Sequence, residues 1–483
     1  MKNWLLRIPN KFWAFPALML WGALSYILLN KTSYGIDEGA ARALLLVWSV
    51  ADNVVSPIVT LGLPDFRTLF FAPVGYLWVG NIVAAKIFTL VVMSGAVWAF
   101  FRWRQQNGNS ESALLASGLL LISPLLINQI DTISVSPYLL IIFAFGAWSD
   151  KIYREAPQAL GGMYFSQILL CLVSVTLHPV GLAYPLALLW GWHTNPSDAK
   201  HKRYFFGGII FVVLLALLLT SGWNHVEWFG NPVRSLSSLL SGFSLAKNIG
   251  TLGWFSGIGI IAILLLVIWK QAGKLWADIL GRTLLIATII GALTGDATWS
   301  IIVLTVCLYW GLPLLLPTNS NSSSGFWGQR GIAMSLLFIL STMFMLADKA
   351  YYQTVQDGYL SPRDSLIKTL AEDRSNFLND QPGKDIPLTQ PEQPVRVASQ
   401  WPGLTMLACR CDVLPLPPSV KDSDALLAML KGVNYLIFDQ RDPKNNSLGR
   451  NLSTMEAGKV ETVALQQGGV IVEIKSPLPG QKP

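Results

Sequence analysis

Asp37 and Glu38 are adjacent in the stretch Tyr34-Gly35-Ile36-Asp37-Glu38-Gly39-Ala40-Ala41-Arg42, just after the first hydrophobic run of the chain. If that run crosses a membrane, the pair lies at the water–lipid boundary. A carboxylate there costs desolvation unless it is hydrated, paired or used in chemistry. An enzyme acting on membrane-anchored substrates would keep its base in such a place. The structural alternative is a solvated helix start, since acids in a first turn complement the helix dipole. The cations that could serve an anionic substrate beside the pair are Arg42, Arg67, Lys86 and Arg234. Lys86 reads equally as a side chain snorkelling to the interface, and Arg42 and Arg67 as surface or acid-paired residues. Asp131, in Asn128-Gln129-Ile130-Asp131-Thr132, either caps a helix or lines a cavity. His178 precedes Pro179 at a turn, and a structural role competes with a ligand role there. His225 and Glu227 resemble an acid–base pair, but two residues apart on a helix they point in different directions. Tyr76 completes the set as a cavity-lining candidate.

The elements that must position these residues belong to a membrane protein. Hydrophobic residues make up 52% of the 483 positions, charged residues only 13%, and there are 19 tryptophans. That composition fits a polytopic membrane chain rather than a soluble one. From Asp348 onward there are 15 basic and 16 acidic residues, so the net charge of +7 belongs to the hydrophobic part. Its location fits the positive-inside rule, and no basic–aromatic stripe of the kind that binds nucleic acid is present. Cys171 and Cys307 lie in apolar spans and read as packing residues. A disulfide between Cys409 and Cys411, with one residue between them, is not assumed, and two cysteines without a second pair do not make a zinc site.

At about 20 apolar residues per crossing, the sequence predicts about eleven spans, near 12–30, 81–101, 113–128, 138–149, 162–177, 180–192, 205–222, 251–269, 283–295, 298–316 and 331–347. One set of connections carries 14 Lys and Arg residues, from Lys2, Arg7 and Lys11 to Arg330. The other carries Lys31, Arg42, Arg67, Arg234 and Lys247. The first set is therefore expected in the cytoplasm. An odd number of spans then places the tail outside, on the same side as Asp37 and Glu38. The expected division is a transmembrane domain over 1–347 and a small extracytoplasmic α/β domain over 348–483. The first outer loop, 31–80, holds two interfacial helices at 41–50 and 69–79, broken by Pro57, Gly62 and Pro64. In the tail, 365–377 and 423–430 read as helices, and 395–399, 435–439, 460–465 and 470–474 as strands. No glycine-rich phosphate loop or nucleophile elbow occurs.

The acidic pair is followed by Ala72-Pro73-Val74-Gly75-Tyr76-Leu77-Trp78-Val79-Gly80-Asn81-Ile82-Val83-Ala84-Ala85-Lys86. Together these stretches resemble the GT-C class of membrane glycosyltransferases, which includes the protein mannosyltransferases and the lipid A aminoarabinose transferases. Members of that class share an acidic motif in a helical first outer loop, a stretch with Pro and Tyr, then Gly and a basic residue opening the second span. Asp37-Glu38, Pro73 and Tyr76, Gly80 and Lys86 occupy those places. The tail stretch Gly432-Val433-Asn434-Tyr435-Leu436-Ile437-Phe438-Asp439 is similar to the outer domain that often closes such chains. The sequence departs from the pattern in two places: the double Pro before the Tyr is absent, and Lys86 stands where Arg is more usual.

The resemblance implies a helical polytopic fold and transfer of a sugar from a polyprenyl-phosphate donor to a lipid, glycan or protein acceptor on the outer, periplasmic face. The style of the chain suggests a bacterial inner membrane, with an endoplasmic-reticulum membrane as the alternative. It implies membrane lipids as partners and no nucleic acid. Such chemistry needs a base for the acceptor and charge stabilisation for the leaving phosphate. Asp37 would be the base, and Glu38 would orient the acceptor or hold a divalent metal ion. Lys86, Arg42, Arg67 and Arg234 would hold the phosphate. Two other classes stand against this reading. A non-catalytic scaffold of the same fold would use the tail to bind partner proteins. A lipid or polysaccharide transporter would carry charged residues at mid-membrane in several spans, and these spans are almost free of them.

Overall fold

The computed structural model describes residues 21–51, 66–107, 110–155, 160–193, 207–211, 250–294, 298–315, 326–379, 395–418, 422–455 and 459–474, less positions 23–24, 33, 359, 410 and 467. Most of the expected spans at 12–30 and 205–222, the side chain of Arg67, and His225 and Arg234 lie outside the described residues. The chain forms two compact units, one of Met1–Asn30 with Lys86–Asp357, the other of Lys31–Ala85 with Gly358–Pro483. The sequence alone suggests one boundary, at residue 348.

The first unit is helical. Its described helices include Ile82–Asn107, Ser110–Leu121, Pro124–Asp131, Ser136–Glu155, Leu160–Leu177, Ala183–His193, Gly250–Ala277, Ile279–Thr294, Thr298–Val306 and Phe326–Gln356. Among the described residues, two helices are long and apolar enough to cross a membrane alone, or three if a bent pair counts as one span. That bent pair is Ser112–Leu121 with Pro124–Asp131, at 51°. Pro124 opens its second half at the first helical position, where a missing N–H costs nothing. The run 298–316 is interrupted by a π-helical turn over Cys307–Gly311. Pro313 lacks the N–H that would bond the carbonyl four residues back, so the regular ladder cannot continue there.

Large apolar side chains stand exposed along these helices, among them Trp269, Leu265 and Ile258 on one and Phe338, Ile339 and Met345 on another. A helix with apolar side chains buried on one side and bare on the other is stable when lipid covers the bare side. Two pairs of polar side chains inside the bundle satisfy each other: Thr89 with Tyr138 at 2.8 Å, and Ser117 with Tyr309 at 2.7 Å.

The second unit combines the first loop with the tail. Glu38–Ala51 and Phe66–Leu77 pack closely, because Gly75 lets the backbones approach. A Cβ on Gly75 would lie 2.4 Å from Val47 Cγ1. The tail is a five-stranded mixed sheet of β1 (Arg396–Ser399), β2 (Asp412–Pro415), β3 (Tyr435–Asp439), β4 (Val460–Gln466) and β5 (Gly469–Ile474). The strand order is β2-β1-β3-β5-β4. β1 runs parallel to both neighbours, and β3–β5 and β5–β4 are antiparallel. The helix Pro362–Asn379 packs on the sheet, and a core of Ala398, Leu426, Leu436, Phe438, Leu448, Leu452, Val470 and Val472 holds the helices Ser423–Met429 and Asn446–Thr454. Cys409 and Cys411 are joined by a disulfide, with Cα atoms 5.3 Å apart, where the sequence reading assumed none. The helix Pro402–Cys409 ends at the first cysteine, and the chain turns straight into β2 after the second, which brings the two side chains together.

Candidate active site

Asp37 is the N-cap of the loop helix. Its Oδ2 accepts from the amides of Gly39 at 3.1 Å and Ala40 at 3.3 Å, satisfying donors that the first helical turn leaves open. Asp37 is part-exposed, and the cap fixes the direction of its carboxylate.

Glu38, one residue on, is engaged quite differently. Its Oε1 accepts from Arg42 Nε at 2.8 Å and from the Gly403 amide at 2.7 Å, and its Oε2 from the Leu404 amide at 3.0 Å. Gly403 and Leu404 are the second and third residues of Pro402–Cys409, so Glu38 supplies the anionic cap for that helix. Pro402 opens the helix, and Gly403 has no side chain to hold the loop away. A Cβ there would lie 2.7 Å from Arg42 Cγ and 3.0 Å from Glu38 Oε1. Burial raises the Glu38 pKa above the usual carboxyl range, against the opposing pull of Arg42 and the two amides. Arg363 completes the surroundings, donating to the Ile36 carbonyl at 3.3 Å and pairing with Asp364 at 3.2 Å. With donors on both oxygens and a guanidinium alongside, Glu38 does not offer the open pair of oxygens that a divalent ion takes. Among the described residues, no group of three or more His, Cys, Asp or Glu side chains gathers as a metal site.

The first unit contains a second cluster. Lys86, in the first turns of the helix Ile82–Asn107, is 1% exposed. Its ammonium donates to the Asn30 carbonyl at 2.5 Å and to Asp131 Oδ1 at 2.7 Å. Asp131 Oδ1 also accepts from the Asn30 amide at 3.0 Å, and Oδ2 accepts from the Tyr351 hydroxyl. A buried ion pair is stable only with good geometry and satisfied lone pairs, and this one has both. The turn after Asp131 is built to hold it. Ser134 N bonds the Gln129 carbonyl at 3.0 Å, Ser136 Oγ bonds Gln129 Oε1 at 2.6 Å, and Thr132 Oγ1 bonds the Asn128 carbonyl at 2.9 Å. Ile133 takes φ 53°, a left-handed conformation that a β-branched residue adopts only under constraint.

Asp37, Glu38 and Arg42 thus share one cluster, and Lys86 and Asp131 share another. Tyr76 is exposed on its helix. His178 is buried and caps a short 3₁₀ turn, its Nδ1 accepting from the Val180 amide at 3.2 Å. Tyr351 and Asn30 are absent from the sequence reading. The apolar pattern ends the last span at 347, whereas its helix runs on to Gln356. The paired aromatics Tyr351-Tyr352 at a helix end were the available signal.

No family model and no curated protein matches the sequence. Among solved structures, the chain is similar to ArnT from Cupriavidus metallidurans bound to undecaprenyl phosphate. The identity is 12%, 99% of each chain is covered, and the TM-score is 0.51. The apo form of the same protein gives 13% identity, 98% coverage of each chain and TM-score 0.51. The archaeal oligosaccharyltransferase AglB from Archaeoglobus fulgidus, in complex with an inhibitory peptide and a dolichol-phosphate, is similar over 89% of this chain and 70% of its own, at 10% identity and TM-score 0.52. Both proteins are polyprenyl-phosphate-dependent glycosyltransferases of the GT-C class. The chain is an integral membrane protein that shares their fold.

Proposed function

We propose that the protein is a membrane glycosyltransferase that moves a sugar from a polyprenyl-phosphate donor to a lipid, glycan or protein acceptor. The observation that carries the reading is Lys86. An ammonium has three N–H donors, and Asn30 and Asp131 take two of them. A lipid phosphate would take the third, gaining a charge-assisted bond in a low-dielectric setting. With so little of Lys86 exposed, the phosphate reaches that donor only once a neighbour of the ammonium has moved.

Asp37 acts as the base in this account. It removes the proton from the acceptor hydroxyl or amine, whose lone pair attacks the anomeric carbon. The bond from that carbon to the lipid phosphate breaks, and the phosphate leaves with the electron pair, its charge held by Lys86. One in-line displacement inverts the anomeric centre. Arg67 and Arg234 belong to the same proposal as further phosphate ligands. Glu38 and Arg42 hold the loop to the helix Pro402–Cys409, and so act as positioning residues.

The setting that fits is a bacterial inner membrane crossed about eleven times, with the amino end in the cytoplasm and a soluble tail, beginning after the helix that ends at Gln356, in the periplasm. The Cys409–Cys411 disulfide supports an oxidising compartment for the tail. One observation favours a second reading, a non-catalytic scaffold: half of the acidic pair is spent on internal structure. Transfer assays on purified protein decide between the two. Asp37→Asn should abolish sugar transfer while leaving unfolding nearly unchanged, and full transfer by that variant would remove Asp37 from the mechanism.

A further inference from the structure

The tail carries a polar pocket that plays no part in the reading above. Its volume is about 320 Å³, and Gln440, Asn445, Asn446, Gly449 and Arg450 line it. That volume lies at the small end of the range for ligand pockets, roughly 300–1,000 Å³, and suits one or two sugar rings. Asn446, Gly449 and Arg450 recur at helical spacing along Asn446–Thr454, while Leu448 and Leu452 of the same helix enter the core. Asn445 is a fixed wall: it is buried, and its Nδ2 donates to Gln400 Oε1 at 3.0 Å and to the Asp439 carbonyl at 2.8 Å.

Two features point to a ligand. Gly449 sits inside a helix, where glycine is less stable than alanine. Packing does not require it, since a Cβ there would meet nothing within 4 Å. What the missing side chain does is keep the pocket open. In addition, Gln440, Asn446 and Arg450 are exposed, and among the described residues no side-chain hydrogen bond or ion pair engages them, so their polar groups are open to a ligand. The neighbouring acids are already committed. Asp439 accepts from the amide and Nε of Arg441, and Asp442 from the Lys444 amide and Gln400 Nε2. The lining is therefore two uncommitted amides and a guanidinium, with no carboxylate. Amides donate and accept, as vicinal sugar hydroxyls require, and the planar guanidinium fits a carboxylate or phosphate.

We infer that this pocket binds a sugar unit bearing an anionic group, a uronic acid or a sugar phosphate. The inference stands on the tail alone and does not depend on Lys86 or Asp37. The test is saturation-transfer NMR on the full chain in detergent, with digalacturonic acid, glucose 6-phosphate and maltose as probes. One or both anionic sugars should bind, and maltose about tenfold more weakly; whichever binds names the anion. Arg450→Ala should weaken binding at least about tenfold, the loss expected for a charge-assisted contact. Gly449→Gln, which fills the pocket from a position with room for a side chain, should abolish binding without lowering the melting transition. Absence of signal from all three sugars, maltose binding as well as the charged probes, or binding indifferent to both variants would overturn the inference.

Discussion

The Gly403 amide donates a 2.7 Å hydrogen bond to Glu38 Oε1 across 365 residues of sequence. With the Leu404 amide on Oε2, it ties the first loop to the tail within one compact unit. Glu38→Ala leaves two helix-start amides without a partner and should cost about 1–3 kcal/mol. Gly403→Ala should show a similar loss by another route, because its Cβ would push Arg42 away. Thermal unfolding and limited proteolysis of the tail in both variants check this.

The same carboxyl predicts a pH effect. The Glu38 pKa is raised in the folded protein by burial. Between its unfolded and folded values, the folded state binds more protons than the unfolded one. Stability contributed by this group is therefore present at the low end of that window and is lost as pH rises through the folded pKa. Glu38→Gln should remove this slope. A difference in melting temperature between wild type and variant that does not vary with pH in the acid range would show that Glu38 does not titrate in this way.

In the other unit, Asp131 accepts from three donors while neutralising Lys86. Asp131→Ala strands a buried ammonium and should destabilise by about 3–5 kcal/mol. Tyr351→Phe removes one hydrogen bond and should cost roughly 1 kcal/mol. The double variant Lys86→Met with Asp131→Leu should recover most of the stability lost in Asp131→Ala, because neither charge is left unpaired. It should nevertheless be inactive in transfer. Chemical unfolding in detergent alongside an activity assay separates the two effects.

Ile133 combines strain with burial, at φ 53° and 1% exposure. Truncating a buried isoleucine costs about 2–5 kcal/mol, more than the 1–3 kcal/mol stored in the backbone, so Ile133→Gly and Ile133→Ala should both destabilise. Their order should be unusual: glycine accepts the left-handed conformation and should be the more stable by about 1 kcal/mol. Unfolding of the two variants side by side gives the answer. In the tail the ordinary order should hold, and Gly449→Ala should stabilise by about 0.8–1 kcal/mol, since its Cβ meets open space in mid-helix.

The local elements were legible in the sequence where the pattern was long or strictly periodic. The apolar runs at 41–50 and 69–79 are helices Glu38–Ala51 and Phe66–Leu77, and the short continuous apolar run 435–439 is strand β3. Some short elements were not, although the four-residue strand β1 and the helix Ser423–Met429 were. Strand β2 is four residues long and ends at Pro415, beside Pro417 and Pro418, a composition that argues against a strand. The helix Pro402–Cys409 carries neither a polar N-cap residue nor a clear periodicity, because its cap comes from Glu38 in a distant segment. Lys86 and Asp131 were each singled out, but their pairing through Asn30 was not, since no local pattern records a contact across 45 residues. Tyr351 was missed because Asp348 and Lys349 dilute the apolar run and hide the continuing helix.

Binding of undecaprenyl phosphate to the purified full chain tests the central claim most directly, comparing wild type with Lys86→Met and Lys86→Arg. The account predicts binding by wild type, a loss of about tenfold or more in Lys86→Met, as for one charge-assisted bond to phosphate, and partial recovery in Lys86→Arg. Equal binding by wild type and a folded Lys86→Met, or no binding by wild type, would contradict it.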